Sequence, residues 1–360
     1  MSSSTPRRKD EGIESLRGLA ILLVVAMHSI GGLGAGGSEI GERTFLAWTA
    51  YTMSFLRMPL FTVISGYVYA LRPFQGGSVR AFLGGKARRV LLPWLTVTAV
   101  TFALRLLLPA NHPLSLADLP RVFLFRFEHL WFLQAIFLAF VAIVAIENRR
   151  WIRTPLGWTM TLGAAYLAWH VLPHTSFLSL KGFLYLMPYF LLGVGLCRFE
   201  ERLRGRAVVT TAAVALAIGV TVHQCAWFGA IERVPGPGSL VALSIGMGGS
   251  LLLFRFRRPV ASLATLGAHA FPIYLFHMLA IAVANRVVPS AAGEPLAFAA
   301  RVVAGLALPV GIEAALGRLG YARLLFLGLR PSPRLDSGQR VGARRDRSYE
   351  GAAGPARVTI

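Results

Sequence analysis

Long apolar stretches separated by short polar segments occupy most of this chain. A helix needs roughly 20 mostly apolar residues to cross a bilayer, and each of these stretches approaches or exceeds that length. We predict about ten spans, which lie near residues 13–34, 45–70, 88–110, 129–147, 155–172, 176–197, 207–230, 238–254, 262–285 and 295–316. The pattern therefore predicts an all-α, polytopic membrane protein.

The same pattern divides the chain into three parts. Residues 1–12 form an N-terminal tail, 13–316 form one transmembrane domain, and 317–360 form a basic C-terminal tail. This last tail is polar and rich in Gly, Pro and Arg, so we expect it to be largely disordered. The first apolar run has no A-x-A-like cleavage site, and we interpret it as a retained helix rather than a signal peptide.

The composition agrees with a membrane protein and assigns an orientation. Hydrophobic residues make up 55% of the chain, and the mean hydropathy is +0.59. Of 37 basic residues, 27 lie in the tails and in the loops predicted to share their side, and only five lie in the alternate loops. By the positive-inside rule, both termini are cytoplasmic in a multi-pass protein of the plasma (inner) membrane. The net charge of +21 thus reflects topology, and we expect no nucleic-acid partner.

Five basic residues lie inside predicted spans, where a charge is costly. Arg105, Lys181 and Arg301 lie near predicted helix ends, and we expect them to snorkel to the interface. Arg57 lies too deep in the second span for that. Arg17 is the fifth of these residues, and it belongs to a longer pattern in the first helix.

Arg17 shares one face of the first helix with an acid and an imidazole. Eleven residues at about 100° each amount to about three turns, so Arg17 and His28 point the same way about 16 Å apart. Glu14 precedes Arg17 by one turn on that face. A stripe of this kind cannot face lipid, so it must line a protein interior or cavity.

Other candidates have a structural and a functional reading. Pro59 is expected to kink the second span, and Ser65 and Tyr67 lie in an "SGY" motif that also suits helix packing. Trp131 suits an aromatic belt as well as substrate contact. Tyr274 and His277 are one turn apart on the ninth span.

A glycine-containing basic segment follows the second span and is predicted to be a cytoplasmic loop. Its cations suit either positive-inside signalling or the binding of a polyphosphate. They are Arg72, Arg80, Lys86, Arg88 and Arg89. The two cysteines, Cys197 and Cys225, are expected to form neither a disulfide nor a metal site.

Five motifs in order resemble the integral-membrane acyltransferase-3 family. "IESLRGLAILLVVAMHS" resembles the opening helix of that family, with its arginine, ten residues and histidine. "RMPLFTVISGY", "ARRVLLPW", "HLWFL" and "YLFH" resemble its later motifs. The likeness covers about residues 11–285. Ser15 replaces the family's frequent glycine after the acid, and Arg57 stands where many relatives have histidine. No appended SGNH-type hydrolase segment is found.

The resemblance implies transfer of an acyl group, usually acetyl, from cytoplasmic acyl-CoA to a hydroxyl of a carbohydrate, glycolipid or natural product. His28 would be the general base or an acyl-carrying nucleophile, and Arg17 or Arg57 would stabilise negative charge. No permanently bound cofactor is implied, because acyl-CoA is a co-substrate. Two further sets complete the expected site. Arg72, Lys86, Arg88 and Arg89 would hold the phosphates of acyl-CoA, and Glu14, Ser65, Tyr67, Trp131, Tyr274 and His277 would line the acceptor side or a channel.

Three alternatives stand beside this reading. A secondary transporter or exporter could use the intramembrane charges as a substrate or proton pathway, although no inverted repeat is apparent. A membrane glycosyltransferase would commonly need acidic metal ligands or large external loops. A non-catalytic membrane protein gives no reason for Arg17, His28 and Arg57 in apolar surroundings.

Overall fold

A computed structural model describes residues 10–30, 44–107, 113–288 and 293–330. Within these ranges the chain is helical and contains no strand. The helices are α1 (Glu11–Ser29), α2 (Phe45–Thr52), α3 (Arg57–Leu71), α4 (Val79–Leu107), α5 (Leu119–Leu124), α6 (Trp131–Asn148), α7 (Pro155–Val171), α8 (Leu180–Arg198), α9 (Glu200–Leu203), α10 (Arg206–Trp227), α11 (Leu240–Arg255), α12 (Ala261–Ala268), α13 (Ala270–Val287), α14 (Glu294–Arg318) and α15 (Gly320–Leu327).

The prediction of an all-α polytopic membrane protein is confirmed. Among the described residues, eight helical segments are long and apolar enough to cross a membrane. The other two predicted spans coincide with α7, which has 17 residues, and with α11, a shorter apolar helix. The figure of ten spans and the cytoplasmic placement of both termini stay predictions.

The second predicted span is divided into two helices. Helix α2 ends at Thr52, and a turn of four residues separates it from α3. Arg57 is therefore the first residue of a new helix. Pro59 lies in the first turn of α3, where proline is tolerated because it removes no intrahelical hydrogen bond. The turn at 53–56 includes Phe55, the residue four positions before Pro59 whose carbonyl a proline leaves without a partner, so the helix is interrupted where the proline was expected to disturb it.

The predicted basic loop is also mostly helix. Helix α4 begins at Val79, so Arg80, Lys86, Arg88 and Arg89 lie on its first three turns. Only 72–78 connect α3 to α4. Consecutive side chains of a helix point about 100° apart, so adjacent cations such as Arg88 and Arg89 do not face one ligand together, and this correction matters for the proposed phosphate site.

The boundary between domain and C-terminal tail was placed too early. Helix α14 continues to Arg318, and α15 follows as a further helix that packs against α4. The start of the predicted disordered tail is therefore ordered structure. Residues 1–9 and 331–360, which hold the rest of both predicted tails, lie outside the described residues.

Glycines bring the central helices into backbone contact. A Cβ atom on Gly66 of α3 would lie 2.0 Å from the carbonyl oxygen of Phe190 in α8, and one on Gly193 would lie 2.0 Å from that of Val63. Small residues of this kind let helices approach closely in membranes, where dispersion and packing drive association. The expected packing role of "SGY" is thus met by Gly66.

The same device joins α1 to α12. A Cβ atom on Gly18 would lie 1.9 Å from the carbonyl oxygen of Leu263, and one on Gly267 would lie 1.9 Å from that of Glu14. Two glycines on opposite helices therefore seat the first half of α1. The helix that carries the Arg17 and His28 pattern is held rigidly at its start.

We predict that Gly66→Ala lowers the free energy of unfolding by about 1–3 kcal/mol, because α3 and α8 must separate to admit the methyl group. Gly163→Ala is the matched control: no atom lies within 4 Å of its added Cβ. Alanine there should be neutral or slightly stabilising. Thermal unfolding in detergent measures both, and equal melting temperatures for the two variants would contradict the close-packing account.

Candidate active site

Three histidines from distant parts of the chain meet at one point. His28 lies in the last turn of α1, His129 in the short turn before α6, and His277 in α13. The ring centroids of His28 and His277 are 5.2 Å apart, those of His129 and His277 are 4.6 Å apart, and those of His28 and His129 are 6.5 Å apart. These residues form what we call the histidine cluster.

Backbone hydrogen bonds orient two of these rings. His277 Nδ1 lies 2.9 Å from the carbonyl oxygen of Tyr274 and 3.1 Å from that of Ile273, so Nδ1 carries the proton and donates. His129 Nε2 donates to the carbonyl oxygen of Leu275 at 3.3 Å. Within the described residues, His277 Nε2 and His129 Nδ1 have no partner although both are buried. Each ring thus retains one nitrogen lone pair that no described residue uses.

Tyr274 ties the cluster together. Its hydroxyl donates to the carbonyl oxygen of His129, and its ring lies 5.4 Å from the His129 ring and 6.0 Å from the His277 ring. Tyr274 and His277, which the sequence analysis placed on the acceptor side or in a channel, therefore lie beside His28 in the structure. His129 was not among the predicted site residues, although the "HLWFL" motif contains it.

Arg57 lies near this cluster without a countercharge. Its charge acts on His28, on Tyr185 and on Arg126. In the described part of the chain the Arg57 side chain makes neither an ion pair nor a hydrogen bond. Other arginines in the helices do have partners: Arg17 with Glu14, Arg198 with Glu147, Arg105 with Glu128 and Arg301 with Glu294.

Arg17 lies at the other end of α1 from the cluster. Its Nη1 donates to both carboxylate oxygens of Glu14, at 2.9 and 3.0 Å. Along the face between Arg17 and His28, Ile21 and Val25 are 0% exposed and Val24 is 2% exposed. Between Arg17 and His28 the predicted stripe is therefore packed against other described residues.

Ser65 and Tyr67 do not reach the cluster. The Ser65 hydroxyl donates to the carbonyl oxygen of Phe61 in its own helix. Tyr67 is buried with its ring 5.2 Å from that of Phe254, and Arg257 lies 5.9 Å from its ring. Arg257 pairs with Asp10, which precedes α1. Tyr67 thus belongs to the end of the bundle at which α1 begins, which we call the basic end.

Trp131 lies on the cluster side and holds a second cation. The Arg126 guanidinium carbon is 5.1 Å from the Trp131 ring centroid. On its other side the ring packs so closely on Gly182 that a Cβ there would lie 2.5 Å from it. The ring of Phe132 then links Trp131 to Tyr274, with centroid distances of 6.3 and 5.5 Å.

The predicted phosphate-binding residues are not gathered in one site. Arg88 donates to the carbonyl oxygen of Gly328, and Lys86 Nζ lies 4.1 Å from the centroid of the Phe140 ring. Arg72 and Arg89 are exposed. A groove of about 520 Å³ does exist nearby, and its polar and glycine lining consists of Ser78, Arg80, Gly84, Gly85, Arg88 and Arg330.

Arg301 holds the end of α1 on which His28 lies. It was predicted to snorkel, but it is only 3% exposed. Its Nη1 donates to the carbonyl oxygen of Ser29 at 2.9 Å and to Glu294 at 3.0 Å, and its Nε donates to Asn285 Oδ1 at 2.6 Å. A cation at a helix C-terminus also complements the helix dipole. Arg301 therefore fixes the last turn of α1 against α13 and α14.

The other two residues predicted to snorkel differ from Arg301. Lys181 is exposed, as a snorkelling side chain should be. Arg105 instead lies 3.7 Å from Glu128, directly before His129. No group of three or more His, Cys, Asp or Glu residues with metal-binding geometry occurs among the described residues, the histidine cluster included.

We predict that Arg301→Ala lowers the free energy of unfolding by about 3–5 kcal/mol, the usual cost of breaking a buried pair. Hydrogen exchange should accelerate in the last turn of α1, and Arg301→Lys should show a smaller effect. Arg198→Ala, which breaks the buried pair with Glu147, is the control: stability should fall without faster exchange around His28. If hydrogen exchange in the last turn of α1 were unchanged in Arg301→Ala, Arg301 would not be the residue that holds this turn in place.

The part of the chain that holds the histidine cluster matches a known protein family. A family model described as an acyltransferase domain matches residues 10–314, and this range contains the whole histidine cluster. No curated protein and no solved structure matches the chain. The matched range covers most of the sequence and carries the Arg17 and His28 spacing. The chain belongs to the acyltransferase-3 family and is a membrane acyltransferase.

Proposed function

We propose that the protein transfers an acyl group, acetyl in the first instance, from acyl-CoA to a hydroxyl group of a carbohydrate, glycolipid or natural product. The observation that carries the proposal is the histidine cluster, in which His28 lies beside two oriented imidazoles and an unpaired arginine. The setting is a plasma (inner) membrane with both termini in the cytoplasm. The bilayer, acyl-CoA and the acceptor are then its partners.

Acyl transfer to an alcohol needs a base and a site for negative charge. In the first route His28 removes the hydroxyl proton, and the oxygen attacks the thioester carbonyl. The C–O bond forms, the C–S bond breaks, and the imidazolium returns its proton to the leaving thiolate. His277 and His129 border the His28 ring.

In the second route His28 itself carries the acyl group. Its nitrogen attacks the thioester, the thiol leaves with the proton, and the acceptor hydroxyl then takes the acyl group from the ring. A neighbouring imidazole lone pair is suited to remove the acceptor proton. His277 Nε2 is such a group, since it is buried and has no described partner.

Arg57 is better placed than Arg17 to stabilise the charge that develops during either route. Arg57 acts electrostatically on His28 and lacks a carboxylate partner in the described chain, whereas Arg17 is neutralised by Glu14. A fixed cation in a site of low dielectric stabilises an oxyanion strongly. We assign stabilisation of the developing negative charge to Arg57. Arg17 is assigned to the side from which the acyl donor enters.

The donor is proposed to enter from the basic end. The groove with Arg80, Arg88 and Arg330 offers cations and exposed glycines to a polyphosphate, and it replaces the expected set of Arg72, Lys86, Arg88 and Arg89. The face of α1 between Arg17 and His28 is filled by apolar side chains. The acyl-bearing arm of the donor must therefore reach His28 along another helix face, or α1 must separate from α13 and α14.

The transporter alternative predicts a continuous polar path. Instead, apolar side chains fill the space between Arg17 and His28, which favours the transferase. Movement of a radiolabelled substrate in proteoliposomes without any acyl-CoA would favour the transporter.

We predict that His28→Ala lowers acetyl-CoA hydrolysis and acetyl transfer by about 10²- to 10⁴-fold, the usual contribution of a general base. Arg17→Ala should mainly raise the KM for acetyl-CoA. Radiolabelled acetyl-CoA and detergent-purified full-length protein provide the measurement.

His170→Ala serves as the control, because His170 is an exposed histidine of α7 far from the cluster along the chain. It should retain wild-type rates. A folded His28→Ala protein with full activity would exclude both routes, and no interaction of wild-type protein with acetyl-CoA would lead to the transport assay.

A further inference from the structure

Two arginines near the histidine cluster have no carboxylate partner within the described residues. Arg57 starts α3, and Arg126 lies in the connection between α5 and α6. Arg126 is exposed, so a solute can reach its guanidinium, whereas Arg57 is partly buried. Arg126 is therefore the arginine that can meet a charged group of an incoming molecule.

Side-chain packing ties Arg126 to this site. Trp131 supports the Arg126 guanidinium on one face, and Gly182 packs against the ring from α8. Trp131 contacts Phe132, whose ring lies 6.0 Å from Phe61, one helical turn after Arg57. Trp131 and Phe132 thus connect Arg126 to α3, the helix that Arg57 begins.

Buried polar atoms give an independent sign that a ligand belongs here. His129 Nδ1 and His277 Nε2 are fully buried and lack partners in the described chain, and such groups are costly to leave unpaired. Both atoms belong to the cluster that Tyr274 connects to these aromatic rings. The site is therefore short of hydrogen-bonding partners as well as of negative charge.

We propose that Arg126, supported by Trp131, binds an anionic group of the acyl acceptor, such as the carboxylate of an acidic sugar or a phosphate. One arginine is sufficient for the single oxyanion of acyl transfer, and Arg57 takes that role. The second cation is then available for a permanent negative charge on the substrate. This inference rests on the proposed function and narrows the acceptor to acidic carbohydrates or phosphorylated compounds.

The position of Arg126 favours the acceptor over the donor as the source of the anion. The end of α1 at Ser29, the start of α6 and the start of α8 lie together, opposite the basic end with its own cationic groove. By the charge distribution, this is the predicted external side, where the phosphates of a cytoplasmic acyl-CoA would not be found. The Trp131 ring also gives a sugar an apolar edge to contact.

The test compares octyl β-D-glucuronide with octyl β-D-glucoside, which differ at one carboxylate. We expect the wild-type protein to use the glucuronide with the lower KM. Arg126→Gln should raise that KM by about 10- to 100-fold, as expected for a lost charge-assisted hydrogen bond, and should leave the KM for the glucoside unchanged. Arg126→Lys should restore part of the preference, because it keeps the charge without the planar guanidinium.

Arg121→Gln is the matched control: Arg121 is an exposed arginine of α5 on the same side of the fold. It should retain the glucuronide preference. Equal KM values for the two compounds would overturn the proposal. So would an Arg126→Gln effect that is the same for both acceptors, as anchoring to lipid headgroups would give, or a raised KM for acetyl-CoA, which would assign the cation to the donor.

Direct binding separates this inference from the proposed function. Fluorescence of Trp131, identified by its loss in Trp131→Phe, should change with octyl β-D-glucuronide in the absence of acetyl-CoA. If acetyl-CoA is inert but this signal persists and requires Arg126, the acyltransferase proposal fails and the anion site stands. If acetyl-CoA is turned over but the two glycosides bind equally, the anion site fails and the transferase stands.

Discussion

The cost of placing a charge in hydrocarbon governs how this bundle is built. An unpaired arginine among apolar helices is expensive, so the protein surrounds its arginines with carboxylates, amides and helix carbonyl groups. Arg198 meets Glu147 at one end, and Arg301 meets Glu294, Asn285 and the carbonyl of Ser29 at the other. These pairs fix where neighbouring helices end relative to one another. Arg57 stands apart from them, and that exception identifies the site.

Close glycine contacts supply the rigidity that this electrostatic arrangement requires. Gly18 and Gly267 seat the first half of α1 on α12, while Arg301 holds its last turn. His28 is thus carried on a helix that is secured at both ends, which is the pre-organisation that a catalytic side chain needs. The same tight packing fills the face of α1 between Arg17 and His28. Access for a long acyl donor therefore has to come from movement between helices or from another side.

Several features were predictable from local pattern because they depend only on the helical repeat and on burial. The apolar windows predicted the helices, and the spacing of Arg17 and His28 predicted their common face. Local pattern failed where a side chain finds its partner on a distant segment. It also missed the helical start of α4, whose charged residues resemble those of a loop. Arg301 near a helix end looks like a snorkelling residue until Ser29 and Asn285 are placed beside it.

The sequence by itself determined that the chain is an all-α membrane protein and that Arg17 and His28 share one face of its first helix. Hydropathy and helical spacing are properties of neighbouring residues, so they can be read without a fold. Only the tertiary structure decided that His129 and His277 lie beside His28, that Arg17 is remote from them, and that Arg126 stacks on Trp131. The histidine contacts join segments far apart in the chain, and they arise from how helices pack side by side, which no local pattern specifies.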